Sequence, residues 1–507
     1  MTPTASREIE RKYDVDEATP LPQLQSLPAV AQVQDPEEEE LEAVYFDTVD
    51  LDLAARRITL RRRTGGADAG WHLKLPTSDD ERQELAEPLG TEPDHIPEAL
   101  LQEVRGCVRD RALVPVARLR TRRTVRHLLG ADGGVLADFD DDRVHADRLV
   151  PAPASLDWRE WEIELVTGEA ALLDAAQPLL VGAGARPSEY PAKLAHVLGD
   201  RLPAPWPPGR RIPRRKGSGA DVLLGYVWEQ VRMLGEQDPL VRRDEPDAVH
   251  QMRVACRRLR SVLATYRPLL DTETANQLRA ELQWLAGALG AARDIQVIQE
   301  RLTNRLSDEP SELIVGPIAE RMDDQLGAAF HAARGEGLAA LDSTRYFRLL
   351  DALDAFLTVP PLTDAAGKPA RRTVPRLIRR EGKKLRELVR TARATPPGTR
   401  ARDLALHEVR KRAKRLRYAA ETAVPVRRKA APRLVDAAQE LQTILGEHQD
   451  SVVARDVLLR LAAAAQLRGE SDFSYGRLHA LEQGCAATSD EMFNRAWSDF
   501  AKSAIET

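Results

Sequence analysis

The sequence predicts an α+β chain of two domains, in which antiparallel strands come first and helices follow. Up to about residue 202, short segments alternate charged and apolar residues with a period of two. From about residue 220, longer segments rich in Ala, Leu, Arg and Glu repeat apolar residues with a helical period. Between them, Pro, Gly and basic residues concentrate in a stretch that continues neither pattern. We therefore assign residues 1–202 to a strand domain, 203–219 to a linker and 220–507 to a helical domain.

The composition is that of a globular protein, with 43% hydrophobic and 30% charged residues. Its 74 basic and 79 acidic residues give a formal net charge of −5, so affinity for polyanions must come from local clusters of cations. The three cysteines are widely separated and odd in number, which argues against a disulfide framework. No uninterrupted apolar run reaches the ~20 residues of a membrane span. We therefore expect a cytoplasmic protein with no membrane partner.

The helical domain contains an internal repeat. HQMRVACRRLR, beginning at His250, aligns without gaps on HEVRKRAKRLR, which begins at His407, 157 residues later. Downstream of each copy, LGAARD and LGEHQD form a second matching pair at a spacing of 156 residues. Two motifs that keep nearly one spacing predict a duplicated unit, each copy forming an up-and-down helical bundle. A stretch rich in Pro separates the copies, which we place at about residues 220–358 and 375–507.

Each copy of the first motif places a His and three cations at i, i+3, i+7 and i+10, which is one stripe of a helix with an apolar stripe beside it. Like charges three or four residues apart repel, and an anionic partner would relieve that repulsion. Arg suits phosphate because its planar fork donates two hydrogen bonds. A solvated face paired with neighbouring acids would explain one copy, whereas recurrence in both favours polyanion binding. The predicted polyanion-binding residues are His250, Arg253, Arg257, Arg260, His407, Arg410, Lys414 and Arg417.

Several predicted strands of the first domain carry their charges on one face. An ordinary antiparallel sheet with one face in water would show the same alternation. The charges are sorted by strand, however, into mainly acidic and mainly basic strands. Carboxylates bind Mg²⁺ or Mn²⁺ through oxygen, while cations neutralise phosphates, and closure into a barrel would turn these faces inward. The acidic positions are Glu8, Glu10, Asp138, Asp140, Glu160, Glu162 and Glu164, and the basic positions include Lys12, Arg61, Arg63, Lys74, Arg120 and Arg122.

Over about residues 214–507 the chain resembles the CHAD family of helical domains. The stretches HQMRVACRRLRS, LGAARD, HEVRKRAKRLRYAAE and LGEHQD carry this resemblance, which includes both copies of the motif. The resemblance implies a pseudo-symmetric pair of helical bundles that binds inorganic polyphosphate along a basic groove. Association with polyphosphate granules in the cytoplasm would follow from such binding.

Over about residues 2–202 the chain resembles the CYTH family of triphosphate tunnel metalloenzymes. The ExExK signature is Glu8, Glu10 and Lys12, and YFDT, TLRRR, WHLKL, RTRR, EIEL and PAKLAHVLG follow in order. The resemblance implies an antiparallel β-tunnel that hydrolyses a phosphoanhydride of a triphosphate-bearing compound with Mg²⁺ or Mn²⁺. It assigns catalysis to Glu8, Glu10, Lys12, Glu162 and Glu164, and phosphate binding to Lys12, Arg61, Arg63, Lys74, Arg120, Arg122 and Lys193.

The predicted metal ligands are Glu8, Glu10, Glu162 and Glu164, to which we add Asp138 from its own acidic strand. The basic run 118–123 permits two registers, and the choice of Arg120 and Arg122 as inward residues uses one of them.

These observations predict an inorganic triphosphatase joined to a polyphosphate-binding domain. One alternative is a non-catalytic polyphosphate-binding or granule-associated protein with a degenerate tunnel, and another is nucleotide cyclisation in the same tunnel. Nucleic-acid binding through the basic helices is disfavoured, because Tyr266 and Tyr418 are the only aromatic residues near the two motifs. No GxxxxGK[ST] motif is present, so the P-loop route to triphosphates is excluded.

Overall fold

The computed structural model describes residues 4–77, 81–92, 95–209, 211–214 and 216–503. The chain forms two compact units, Met1–Gly209 and Arg210–Thr507, and the division between them falls within the predicted linker. No helix in the described ranges combines the length and the apolar character needed to cross a membrane.

The first unit is built on a closed antiparallel barrel. Its strands follow the order β1-β6-β5-β4-β3-β7-β8-β9, and β9 pairs with β1 to complete the ring. Two short strands lie outside this ring, β2 beside β7 and β10 beside β1. The strands are β1 Thr4–Val15, β2 Gln32–Val33, β3 Glu37–Asp47, β4 Thr59–Thr64, β5 Gly70–Pro76, β6 Glu81–Glu87, β7 Val114–Leu129, β8 Val135–Arg148, β9 Ala154–Leu165 and β10 Arg186–Pro187.

On β9 the period of two turns Trp161 and Ile163 outward and Glu162 and Glu164 inward, whereas β7 also carries exposed arginines on its outer face. Outside, Phe139 and Trp161 pack in a cluster with residues of helix α2, Ala170–Gly182. Helix α1, Glu98–Val108, covers a second apolar patch that includes Trp71. Helices α1 and α2 each cover an apolar part of the outer face, and charged side chains line the interior of the barrel.

One end of the barrel is closed by an apolar plug. The short helix α3, Lys193–Leu198, packs Leu194 and Val197 into a buried cluster with Tyr45, Leu119 and Ala146. Since α3 begins at Lys193, the plug carries that ammonium group to the charged part of the tunnel.

The second unit is helical throughout its regular structure. Its helices are α4 Gly219–Arg242, α5 Ala248–Thr265, α6 Thr272–Ala288, α7 Gly290–Ser307, α8 Ile318–Leu341, α9 Thr344–Thr358, α10 Ala370–Ala394, α11 Arg400–Ala423, α12 Ala430–Leu467 and α13 Phe473–Ser503. The predicted fold class, a strand barrel followed by helices, is therefore confirmed.

Helices α4, α5, α6–α7 and α8 of the first half correspond in order to α10, α11, α12 and α13 of the second, while α9 has no counterpart among the described residues. Helices α5 and α11 carry the two copies of the His/Arg/Lys motif, and they pack against each other. A β-bridge between Ser218 and Pro369 joins the residues immediately before α4 and α10. Another departure from symmetry is that α6 and α7 are separate helices, whereas the matching α12 is continuous over 38 residues.

Candidate functional sites

Three carboxylates converge inside the tunnel. Glu8 and Glu10 lie two residues apart on the inward face of β1, and Glu164 of β9 is the register partner of Glu10. One oxygen from each of the three lies within 4.8 Å of the others. Glu8 Oε2 is buried with no hydrogen-bond partner among the described residues. We call these residues the Glu8 group.

The Glu8 group is short of positive charge at Glu164. Burial, followed by repulsion from Glu8, raises the pKa of Glu164 to about 8. A buried carboxyl group with an elevated pKa, next to an orphaned carboxylate oxygen, is a place where a cation can replace a proton. Closely spaced carboxylate oxygens are the ligands that hard cations such as Mg²⁺ and Mn²⁺ prefer. The residues of the Glu8 group therefore fit a divalent cation.

A second group of carboxylates, Asp142, Glu160 and Glu162, has its oxygens equally close together. Here the protein supplies the cations itself. Lys193 Nζ lies 2.9 Å from Asp142 Oδ2, 2.7 Å from Glu160 Oε1 and 2.6 Å from Glu162 Oε1. Arg123 donates to Asp142 at 2.8 and 2.7 Å and to Glu162 at 2.9 Å. This second group is neutralised by protein cations and does not fit a metal ion in this arrangement.

Glu162 shows the effect of these cations. Burial alone would raise its pKa, but Lys12, Lys193 and Arg123 together hold the pKa of Glu162 well below its usual range. The predicted metal set is thus divided by the structure, because Glu164 lies in the Glu8 group and Glu162 lies among ammonium and guanidinium groups.

Basic side chains of β1 and of the neighbouring strands β4, β5 and β6 lie around the Glu8 group. Lys74 contacts Glu8, and Lys12 Nζ lies 2.7 Å from Glu10 Oε2. The other members lie at longer range from carboxylates, where an anion could compete for them: Arg61 Nη2 is 3.9 Å from Glu84 Oε1, and Arg82 Nη1 is 3.9 Å from Glu10 Oε1. Arg63 also lines this space and contacts Asp68. The tunnel thus brings carboxylates and basic side chains together around one space.

Two predicted tunnel residues lie outside the tunnel, and a third, Asp138, lies inside but in neither carboxylate group. Arg120 and Arg122 point to the exposed outer face of β7, so their assignment to phosphate binding inside the tunnel is wrong by one residue of register. Leu119, Thr121 and Arg123 take the inward positions.

Asp138 shares the inward face of β8 but accepts a hydrogen bond from His127 Nδ1 at 2.5 Å, and it joins neither carboxylate group among the described residues. Four residues that face the interior were not identified from the sequence. Their strands are charged on both faces, or only closure of the barrel brings them inside. These residues are Arg82, Glu84, Arg123 and Asp142.

In the helical unit, the first arginine of each motif lies near a glycine of the downstream motif, and in the first repeat it also binds an aspartate. Arg253 of α5 donates to Asp294 at 3.0 and 3.3 Å and to the Gly290 carbonyl at 3.3 Å. A side chain at Gly290 would place its Cβ 2.8 Å from Arg253 Nη2, so it would displace the guanidinium group from this position. In the second repeat, Gly446 is the counterpart and its Cβ would lie 3.5 Å from Arg410 Nη2. The glycines of LGAARD and LGEHQD therefore lie beside the first arginine of each His/Arg/Lys motif.

Cations from the two repeats meet where α5 packs on α11. Burial, then the neighbouring Arg410 and Arg257, lowers the pKa of Lys414 to about 7. Burial also lowers the pKa of Arg257; Tyr418 opposes this shift, and Arg253 and Arg410 add to it. Burial and neighbouring cations thus both disfavour the charged forms of these side chains. We call Arg253, Arg257, Arg410 and Lys414 the α5–α11 cluster.

The other predicted members of the motif are partly engaged. Arg260 donates to Gln283 at 2.8 Å, and Arg417 Nε lies 3.4 Å from Glu421 Oε1. His407 Nδ1 is 2.6 Å from Gln449 Oε1. His250 is half-buried, and burial followed by Arg257 lowers its pKa. The histidines therefore flank the cluster, while the arginines and Lys414 form its charge.

The fold and the sites define a protein class: a closed tunnel lined by carboxylates and cations, followed by a duplicated helical unit with a basic cluster. The CYTH domain model matches residues 6–181 and the CHAD domain model matches residues 225–459. An "Uncharacterized protein" of Mycobacterium tuberculosis strain H37Rv is 41% identical, over 97% of this chain and 96% of its own length. The chain belongs to the family in which a CYTH domain precedes a CHAD domain, and both predicted resemblances are confirmed.

Solved structures similar to parts of the chain include PptA from Streptomyces chartreusis, with 28% identity, a TM-score of 0.47, and coverage of 56% of this chain and 99% of that chain. The CHAD domain from the plant Ricinus communis has 25% identity and a TM-score of 0.46, covering 57% of this chain and 96% of its own. A putative adenylyl cyclase from Hippeastrum, described as having a dominant triphosphatase activity, has 17% identity and a TM-score of 0.24, covering 40% of this chain and 99% of that chain.

Proposed function

We propose that the tunnel hydrolyses a phosphoanhydride bond of inorganic triphosphate or of another triphosphate-bearing compound, and that the helical unit binds inorganic polyphosphate. The observation that carries the first part is the Glu8 group, with its orphaned oxygen and the elevated pKa of Glu164, among basic side chains in a closed barrel. Membership of the CYTH family supports the same reaction.

In this proposal Glu8, Glu10 and Glu164 hold a Mg²⁺ or Mn²⁺ ion. When bound, the ion would neutralise phosphate oxygens and so favour nucleophilic attack at phosphorus. Arg61 and Arg82 bind phosphate oxygens, since they are the tunnel cations whose carboxylate partners lie farthest away, at 3.9 Å.

The reaction adds water to the terminal phosphorus and breaks the bridging P–O bond, so tripolyphosphate yields orthophosphate and pyrophosphate. Catalysis of this kind depends chiefly on positioning and charge neutralisation, and we assign no single residue as the base.

The test is phosphate release from tripolyphosphate by the full chain with Mg²⁺ or Mn²⁺. Glu164→Gln should lower turnover by about a hundredfold or more, because it removes one ligand from the Glu8 group. Asp138→Asn is the matched control, since it also neutralises an inward carboxylate but lies outside that group, and it should stay within a few-fold of the unsubstituted protein. Equal activity in both variants would refute the site.

The second part of the proposal rests on the α5–α11 cluster, where two repeats combine their cations and the pKa of Lys414 falls to about 7. A polyphosphate chain would relieve this repulsion, and arginine forks match its oxygens. Arg253→Gln combined with Arg410→Gln should weaken binding of long-chain polyphosphate. Arg348→Gln combined with Arg460→Gln removes two exposed cations from other helices, α9 and α12, and serves as the control.

A second candidate is a non-catalytic polyphosphate-binding protein. It is favoured by the neutralisation of Asp142, Glu160 and Glu162 by Lys193 and Arg123. One of the two carboxylate groups in the tunnel is therefore left without room for a metal ion. Binding of tripolyphosphate without phosphate release, across Mg²⁺ and Mn²⁺, would support this candidate over hydrolysis.

A further inference from the structure

Helix α10, the first helix of the second repeat, carries a basic stripe that belongs to neither predicted motif. Its cations follow one another at intervals of four and three residues, which places them on one face of the helix. From first to last they span about 27 Å at the rise of an α-helix. We call them the α10 stripe: Arg372, Arg376, Arg379, Lys383, Arg386 and Arg390.

All six side chains of the α10 stripe are exposed, and none forms an ion pair or a side-chain hydrogen bond within the described part of the chain. Of the four other cations of the same helix, two find partners: Lys384 Nζ lies 3.6 Å from Glu381 Oε1, and Arg393 donates to Asn494. The other two, Arg371 and Arg380, are exposed like the stripe. The exposed Glu387 beside the stripe makes no ion pair with it among the described residues. The stripe is thus a row of unneutralised charge, at the cost of repulsion between successive cations.

The equivalent helix of the first repeat does not carry such a stripe. Helix α4 occupies the equivalent place in the first repeat, and the bridge between Ser218 and Pro369 joins the residues before the two helices. The basic residues of α4 are both paired within the helix: Arg232 donates to Glu229 at 2.8 Å, and Arg242 donates to Asp238 at 2.7 Å. The second repeat alone therefore presents the stripe.

The α10 stripe is also separate from the α5–α11 cluster. Helix α10 packs on α11 through its buried face, where Glu381 accepts from Arg412 at 2.7 Å. The stripe occupies the opposite, exposed face of α10. The cluster, by contrast, lies where α11 meets α5, so a chain bound to the cluster does not by itself contact the stripe.

The chemistry of the stripe selects among anionic partners. Helix α10 contains no aromatic residue, so it offers no platform on which nucleic-acid bases could stack. None of its large hydrophobic side chains is exposed, so the helix has no apolar face to insert into a lipid surface. Five of the six cations are arginines, whose forks match phosphate oxygens. A long, flexible chain of phosphates fits these properties.

We propose that the α10 stripe is a second binding track for long-chain inorganic polyphosphate, on a different face of the helical unit from the α5–α11 cluster. This rests on the proposed function of the helical unit and extends it: a chain long enough to reach both surfaces gains affinity from both, whereas a chain that reaches only one does not.

The test uses the full chain with four stripe residues changed together: Arg376→Gln, Arg379→Gln, Lys383→Gln and Arg386→Gln. The control has the same loss of charge from exposed, unpaired arginines on other helices: Arg348→Gln, Arg400→Gln, Arg433→Gln and Arg460→Gln. Affinity for fluorescently labelled long-chain polyphosphate is measured by anisotropy at two salt concentrations. The stripe variant should bind about tenfold or more weakly and with a shallower salt dependence, while the control stays within about threefold.

Equal affinities of the stripe variant and the control for polyphosphate would overturn the inference. It would also be overturned if the stripe variant kept its polyphosphate affinity and lost binding to duplex DNA or to vesicles of acidic phospholipid. Failure of the unsubstituted protein to bind polyphosphate would instead remove the proposed function. If the Arg253→Gln and Arg410→Gln variant loses binding while the stripe variant does not, the proposed function stands and only the second track is refuted.

Discussion

Polyphosphate binding by the helical unit should depend on pH through Lys414. Burial, followed by Arg410 and Arg257, lowers the pKa of this side chain to about 7, while Asp450 opposes the shift and Arg417 adds to it. The free protein is thus about half protonated at Lys414 at neutral pH. A bound polyanion favours the ammonium form, so binding takes up a proton whenever the pH lies above the free pKa.

The size of the effect follows from that linkage. If the bound state keeps Lys414 charged, affinity is proportional to the fraction of free protein in which Lys414 is already protonated. With a pKa of about 7 this fraction is about nine tenths at pH 6 and about one tenth at pH 8, so affinity should fall about tenfold between them. The sign is fixed, because affinity is greatest below the free pKa and declines as the pH rises through it.

The assay is a polyphosphate titration at pH 6, 7 and 8 and constant ionic strength, with Lys414→Arg as the comparison. Arginine stays charged throughout this range, so the variant should lose the Lys414 component of the pH dependence. Both proteins retain His250 and His407, so histidine titration affects them alike. Identical pH profiles for the two proteins would refute the assignment of Lys414 to the binding surface.

Three further outcomes are expected. Arg123→Gln should destabilise the protein by about 3 kcal/mol in chemical denaturation, because it leaves buried carboxylates unpaired, whereas exposed Arg122→Gln should change stability by less than about 0.5 kcal/mol; similar losses would contradict the barrel register. Gly290→Ala should weaken polyphosphate binding a few-fold by displacing the Arg253 guanidinium, and Gly446→Ala, whose Cβ has 3.5 Å of clearance, should not; equal effects would count against this positioning. Raising the salt concentration should weaken polyphosphate binding steeply and leave the unfolding midpoint little changed, and a flat salt response would exclude an electrostatic site.

The sequence was informative where one face of an element carries a clear pattern. The period of two placed Glu8, Glu10 and Lys12 on one inward face, and the structure brings them together. The same reasoning failed for Arg120 and Arg122, because the run of basic residues offers cations in both registers. Leu119 decides between the registers by joining the apolar plug, and that packing appears only once the barrel is closed.

Other site residues carried weaker signals. Asp142 ends a run of three aspartates, in which Asp141 faces outward and accepts two hydrogen bonds from Arg159 at 2.8 Å, so alternation within the run was hidden. The glycines of LGAARD and LGEHQD, by contrast, repeat at equivalent positions in the sequence. Their role depends on a close approach between helices, since Gly290 makes room for Arg253, and no pattern within one helix reveals such a contact.

The division of labour between tunnel and helices is tested most directly by measuring two activities on the same two full-length variants. Phosphate release from tripolyphosphate and binding of long-chain polyphosphate are compared for Glu164→Gln and for Arg253→Gln combined with Arg410→Gln. We predict that the tunnel variant binds polyphosphate normally without releasing phosphate, and that the helical variant releases phosphate normally while binding polyphosphate weakly. Undiminished phosphate release by Glu164→Gln, or loss of both activities in both variants, would contradict this account.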